Sequence, residues 1–168
     1  MSTNNLTTNL NMLGPGNFKV TIDSGEFANL EFFCTAANVP SLTSNEVLQG
    51  YGNRNAYLPG DTLEYGTLEI TFIVDEEMKN YIEMNSWITK NADHNITKTK
   101  ATGFNHEEKV KDITMSVLTS KNTINKQLRF TDAFPTNLGE LSFTTQDTAV
   151  EYLTCTVSFR YNRFEFIR

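Results

Sequence analysis

Two histidines, two cysteines and one run of three carboxylates are the side chains that could carry chemistry in this 168-residue sequence. His94 and His106 lie in a polar stretch and lack metal-ligand spacing, so they read as surface residues. Cys34 and Cys155 stand alone in apolar, strand-like segments. Two isolated cysteines make neither a zinc site nor a disulfide framework, and each reads as a small buried hydrophobe, consistent with assembly in a reducing cytoplasm. Asp75, Glu76 and Glu77 fall where a helix should begin. Asp75 suits the N-cap and the two glutamates suit the positive end of the helix dipole, which leaves no acid–base pair for glycoside chemistry. Gly14-Pro15-Gly16 contains a proline and opens no helix, so it cradles no phosphate. No serine sits in a G-x-S-x-G elbow. The expectation is a protein that is not an enzyme and uses no cofactor, metal or small-molecule ligand.

The elements around these residues are those of a scaffold. The length fits one domain, and 39% hydrophobic residues with 20% charged ones fall in the globular range. Twelve Phe and six Tyr favour strands. A net charge of −6 argues against nucleic-acid binding through a basic surface, because phosphate contacts need clustered Lys and Arg. No stretch is apolar and long enough to span a bilayer, and the N-terminus lacks a basic region followed by an apolar one, so no signal peptide is expected.

Residues 1–16 are Asn- and Thr-rich and read as a flexible arm ending in a turn; residues 17–168 form the domain. Phe18, Val20 and Ile22 alternate with polar residues and predict a first strand. Leu30 to Thr35 reads as a second, forming a hairpin with the first. Pro40 to Asp61, with three glycines and two prolines, reads as a long loop. Its Val47, Leu48, Tyr51, Tyr57 and Leu58 must be buried on the domain itself or on a neighbour.

Thr67 to Val74 predicts a strand with Leu68, Ile70 and Phe72 on one face and Glu69 and Thr71 on the other. From Asp75, Met78, Tyr81, Ile82, Met84 and Ile88 recur at helical spacing, with Trp87 anchoring the helix on a sheet. Asn91 to Glu108 reads as a polar surface loop. Ile113–Val117 and Ile124–Phe130 alternate as two paired strands joined by a turn at Lys121-Asn122. Phe134 to Leu141 reads as the turn into a terminal strand whose Leu153, Cys155, Val157, Phe159 and Tyr161 share one face. Its other face carries Thr154, Thr156, Ser158 and Arg160: ordinary solvent exposure, or the lining of a wide pore. The fold class expected is α+β, mostly β, with barrel-like antiparallel sheets and one packed helix.

Two blocks carry a resemblance: Pro59-Gly60-Asp61 with the strand and Asp75-Glu76 helix after it, and Phe134-Pro135-Thr136-Asn137-Leu138-Gly139-Glu140-Leu141 with the terminal strand. Together with Phe18–Ile22, Phe33-Cys34-Thr35-Ala36 and Asn53-Arg54, their order and spacing resemble the tail tube protein family of T4-type contractile phages, from about Phe18 to Phe164.

The resemblance implies a structural virion protein. Hexameric rings would share an inner β-barrel and stack helically into a hollow tube inside a sheath. The tape-measure protein and then double-stranded DNA would occupy the lumen, without specific binding. Baseplate and tail terminator proteins would be further partners, and assembly would take place in the host bacterial cytoplasm. The loop holding Val47, Leu48, Tyr51, Tyr57 and Leu58 would then stack rings. Two candidate lumen faces remain open: Thr154, Thr156 and Ser158, beside which Arg160 fits an acidic lining poorly, or Glu69 with Thr71. The other readings are a baseplate tube-initiator or type VI secretion tube protein of the same fold, and a monomeric ligand-binding β-barrel.

Overall fold

A computed structural model gives the architecture, describing residues 12–23, 25, 27–92, 109–144 and 152–167. Most of the expected arm, His94, His106 and most of the Asn91–Glu108 loop lie outside the described residues. The order is β1 (Phe18–Ile22), α1 (Ala28–Phe33), β2 (Cys34–Ala37), β3 (Leu42–Tyr51), β4 (Arg54–Tyr65), β5 (Leu68–Ile73), α2 (Lys79–Asn91), β6 (Lys111–Leu118), β7 (Ile124–Leu138), β8 (Thr154–Arg160) and β9 (Arg163–Phe166). The expected α+β, mostly β class holds.

The body is one antiparallel sheet in the order β1-β6-β7-β8-β5-β2, with β9 also on β7. It turns a corner within β7. Leu128 to Thr131 pair with β9 and, over the same stretch, with β6; Phe134 to Leu138 pair with β8. At the corner Asp132 has φ 54, a left-handed conformation that a non-glycine residue adopts only when its surroundings hold it. Asp112 Oδ1 accepts from the Asp132 backbone N–H at 3.0 Å, and Asn162 Nδ2 donates to the Asp132 carboxylate at 2.7 Å. Arg129 Nε closes the cluster on Asp112 Oδ2 at 2.9 Å.

Alternation sets the core. Leu68, Ile70 and Phe72 from β5, Cys155, Val157 and Phe159 from β8, Ile113 from β6 and Leu128 and Phe130 from β7 are buried on the inner face. Each large apolar side chain placed there stabilises the fold by roughly 1.5–3 kcal/mol relative to exposure. Trp87 lies across them, its ring 4.6 Å from Phe27 and 5.8 Å from Phe159. Its indole N–H donates to the Lys109 carbonyl at 3.0 Å, so the polar end of a buried ring is satisfied.

Several expectations are corrected. Leu30 to Thr35 is not a strand paired with the first: Ala28–Phe33 is a short helix, and β1 pairs instead with β6 while β2 pairs with β5. The molecule therefore has two helices rather than one packed helix among the described residues. Leu30 points into the core from one turn of helix, where i, i+2 alternation and a helical i, i+3 pattern cannot be told apart over so few residues. The stretch Pro40 to Asp61 is not a loop but most of a long hairpin. Phe134 to Leu138 is not a turn but the second half of β7, and β9 extends the chain past the terminal strand.

The second helix starts later than the carboxylate run. Met78, at φ 54, precedes its first residue, and a turn from the Asp75 carbonyl to the Met78 N–H comes before it. Asp75 still serves the helix end, because its Oδ1 accepts from the Asn80 N–H at 3.3 Å. Asn80 is fully buried, and its side chain donates to the Ile73 carbonyl at 2.7 Å while accepting from the Tyr81 N–H. That bond ties the start of the helix to the end of β5.

Candidate functional site

The described residues hold no group of three His, Cys, Asp or Glu placed to bind a metal, and no helix among them is long and apolar enough to cross a membrane. Burial pushes the Cys34 thiol up to about 11 and raises that of Cys155, which keeps both protonated and poorly nucleophilic near neutral pH. What the fold presents is two surfaces.

The first is the outer face of the β2-β5-β8 sheet. Glu69 lies opposite Ser158, Thr71 opposite Thr156 and Ile73 opposite Thr154. Residues directly opposite in an antiparallel pair share a face. The two candidate lumen sets, rivals in the sequence, are thus one surface built from adjacent strands. Thr71 and Thr156 join their hydroxyls at 2.9 Å. Thr35 Oγ1 donates to the Thr71 carbonyl at 3.2 Å and Thr136 Oγ1 to the Ser158 carbonyl at 3.1 Å. Asn38 extends the edge, accepting from the Glu69 N–H at 2.7 Å and donating to the Thr67 carbonyl.

Arg160 also lies on this face, opposite Phe134. Its Nη1 donates to the Tyr65 carbonyl at 3.3 Å, which draws the guanidinium toward the foot of the hairpin. The face is therefore rich in hydroxyls and carries one carboxylate, Glu69, and one tethered cation. Thr35 and Thr136 entered the sequence reading only within the resemblance blocks, and Asn38 not at all; only strand pairing brings them beside Thr71 and Ser158.

The second surface is the β3–β4 hairpin. Its strands pair with each other and with no other strand of the described residues. Ten residues of β3 extend about 33 Å at the usual rise per residue. Gly52, at φ 54, and Asn53 make the two-residue turn between Tyr51 and Arg54. The strands slip in register between Ser44 and Glu46, where a Cβ on Gly60 would lie 2.5 Å from the Asn45 carbonyl oxygen. Only glycine fits that close approach. At the foot, Tyr65 packs edge-on against Phe164 at 5.6 Å and near Tyr161 at 6.0 Å.

The five residues singled out in this region are brought together, but on both sides of a ribbon. Val47 opposes Leu58, with Tyr51 further along that face; Leu48 opposes Tyr57 on the other. Tyr57 is 68% exposed and Tyr51 64%, and Leu48, Val47 and Leu58 are exposed as well. An isolated hairpin is marginal in water, and apolar side chains on both faces of one call for cover from outside the ribbon.

A family model for phage tail tube proteins matches residues 1–167. The chain belongs to the phage tail tube protein family. A curated relative, the tail tube terminator protein of Enterobacteria phage T4, is 31% identical over 118 residues, which is 68% of this chain. The chain spans just under two thirds, 64%, of that relative's length. Among solved structures, the tube-terminating cap of the anti-feeding prophage superposes with a TM-score of 0.68 at 19% identity, over 95% of this chain and 93% of that one. The sheath/tube terminator of an extracellular contractile injection system in its extended state gives 0.65 at 14%, over 94% and 98%. At these identities the two structures speak to the fold alone, and they share the fold of this chain. Phe18, Pro59-Gly60-Asp61 and the terminal strand, on which the resemblance rested, all lie inside the matched span.

Proposed function

We propose that the chain is a non-enzymatic subunit of hexameric rings coaxial with the inner tube of a contractile phage tail. Residues 17–168 act as the ring-forming domain and residues 1–16 as an arm. In this reading the sheet edges at β1 and β2 join neighbouring subunits, which removes strand edges from solvent. The surface of Glu69, Thr71, Thr154, Thr156 and Ser158 faces the lumen. Its hydroxyls and sparse charge offer no phosphate trap, so the tape-measure protein and then double-stranded DNA pass without being held. Sheath subunits lie outside the tube; the protein resides in the virion tail and assembles in the host cytoplasm. The observation that carries the reading is the hairpin, whose apolar side chains are exposed and which pairs with no other strand among the described residues.

The T4 relative favours one position for the ring. That protein is a tail tube terminator, so a terminal ring is the second reading for this chain beside a repeating one. A repeating subunit extends without limit, because head-to-tail contacts do not close along the axis. A terminal subunit forms rings that bind tube ends and stop. Electron microscopy of the purified protein, alone and with preformed tail tubes, separates these outcomes: long tubes support the repeating ring, single rings that cap tubes support the terminal one. Strictly monomeric particles under all conditions would sink both and favour a ligand-binding barrel.

A further inference from the structure

We propose that the turn of the hairpin of one copy seats in a groove on the next copy, with Tyr51 entering its apolar floor and Arg54 pairing with Glu76 on its rim. The inference rests on the self-assembly reading above and names the surface that assembly uses. The groove, about 680 Å³, opens between the end of β5 and the start of α2. Phe33, Ile73, Val74, Met78 and Leu153 contribute apolar surface to it, and Phe143 and Tyr152 flank it. Phe143 is 72% exposed and Tyr152 75%, so these rings lie largely bare beside an open apolar depression. Such a site has a cost in water that a partner side chain removes.

Charge selects the occupant. The rim carries Asp75 and Glu76, with Glu77 next in sequence. Glu77 is engaged by Lys79, and Asp75 accepts from the Asn80 N–H at 3.3 Å. Glu76 is exposed and makes no ion pair among the described residues. On the hairpin, Arg54 is the one basic residue from Leu42 to Tyr65, against Glu46, Asp61 and Glu64. Tyr51 and Arg54 are direct cross-strand partners, so an aromatic ring and a cation leave the turn on the same face. An apolar floor with an acidic rim complements that pair. Among the described residues no side chain occupies either surface, and the two lie on different parts of the chain. The contact is therefore heterologous and repeats from copy to copy.

The test uses the full-length chain. One preparation carries Tyr51→Cys, another Phe143→Cys, and they are mixed under mild oxidation; the native thiols, Cys34 and Cys155, serve as background in each alone. The expected result is a disulfide-linked pair in the mixture and none in either preparation by itself. In parallel, Arg54→Glu and Glu76→Arg each raise the concentration needed for assembly by about tenfold or more, and assembly returns when both reversals are present in one chain. Circular dichroism checks that these exposed substitutions leave the fold intact. Rings or tubes that form without the cross-link and ignore both charge reversals overturn the groove contact while leaving the ring reading standing. A chain that stays monomeric at every concentration overturns both. A cross-link formed inside one chain carrying both cysteines, before any assembly, also overturns the proposal.

Discussion

The β5–β8 pair and the β3–β4 hairpin are both regular antiparallel ribbons, yet they differ in what lies behind them. Leu68, Ile70, Phe72, Cys155, Val157 and Phe159 back the first with a dry core, while its other face presents threonines and serine. The residues of the hairpin strands are exposed or half-buried. The same secondary structure therefore stabilises a fold in one place and exposes unmet apolar surface in the other. In the proposed assembly, folding is the work of the first ribbon and association that of the second.

Substitutions can break this division or tighten it. Phe159→Ala should have the largest effect: it removes a fully buried ring in contact with Trp87, and urea unfolding should record a loss of about 3–5 kcal/mol. A small loss there would mean that the core behind β8 is looser than its burial implies. Gly60→Ala comes next. It sets a methyl against the Asn45 carbonyl in a backbone contact that cannot yield, and amide exchange should accelerate along β3 and β4 while the body keeps its protection. Uniform acceleration would show that the hairpin and body open together.

Alkaline pH should have a smaller effect. The Cys34 thiol rises from its ordinary 9.0 to about 11 in the fold, so the native state holds its proton more tightly than the unfolded one. That stabilisation is complete below the unfolded value and disappears as pH climbs through the folded one. Cys34→Ala should flatten stability across that window; an unchanged slope would locate the titration elsewhere. The smallest change belongs to Tyr57→Ser, which should shift monomer stability by less than about 0.5 kcal/mol yet weaken assembly, as read by sedimentation. If it unfolds the chain instead, the hairpin is part of the folding unit and the comparison fails.

The same contrast explains what the sequence made legible. Where one strand face is buried, apolar and polar residues alternate, and β5, β6 and β8 could be read directly. The faces of Glu69 and Thr71 and of Thr154, Thr156 and Ser158 were correctly drawn strand by strand, but a single strand says nothing about its neighbour, so one surface looked like two. The hairpin was illegible as strands because neither of its faces is buried. Val47-Leu48 and Tyr57-Leu58 place apolar residues on both sides and erase the alternation, while Pro59-Gly60 imitates a loop. The first helix is too short for its period to separate from a strand's. The groove beside Phe143 and Tyr152 gave no signal, since its walls come from elements far apart in sequence.

The corner at Asp132 has a mechanical consequence. β7 runs unbroken from one half of the sheet into the other, so a pull applied to the β8 side is carried through covalent backbone to the β6 and β9 side. Asp112 and Asn162 brace the bend at the point where that load changes direction. Straightening the strand at the bend would break both of these hydrogen bonds. In the proposed tube, a subunit built this way would carry an axial thrust across both halves of its sheet through one continuous strand.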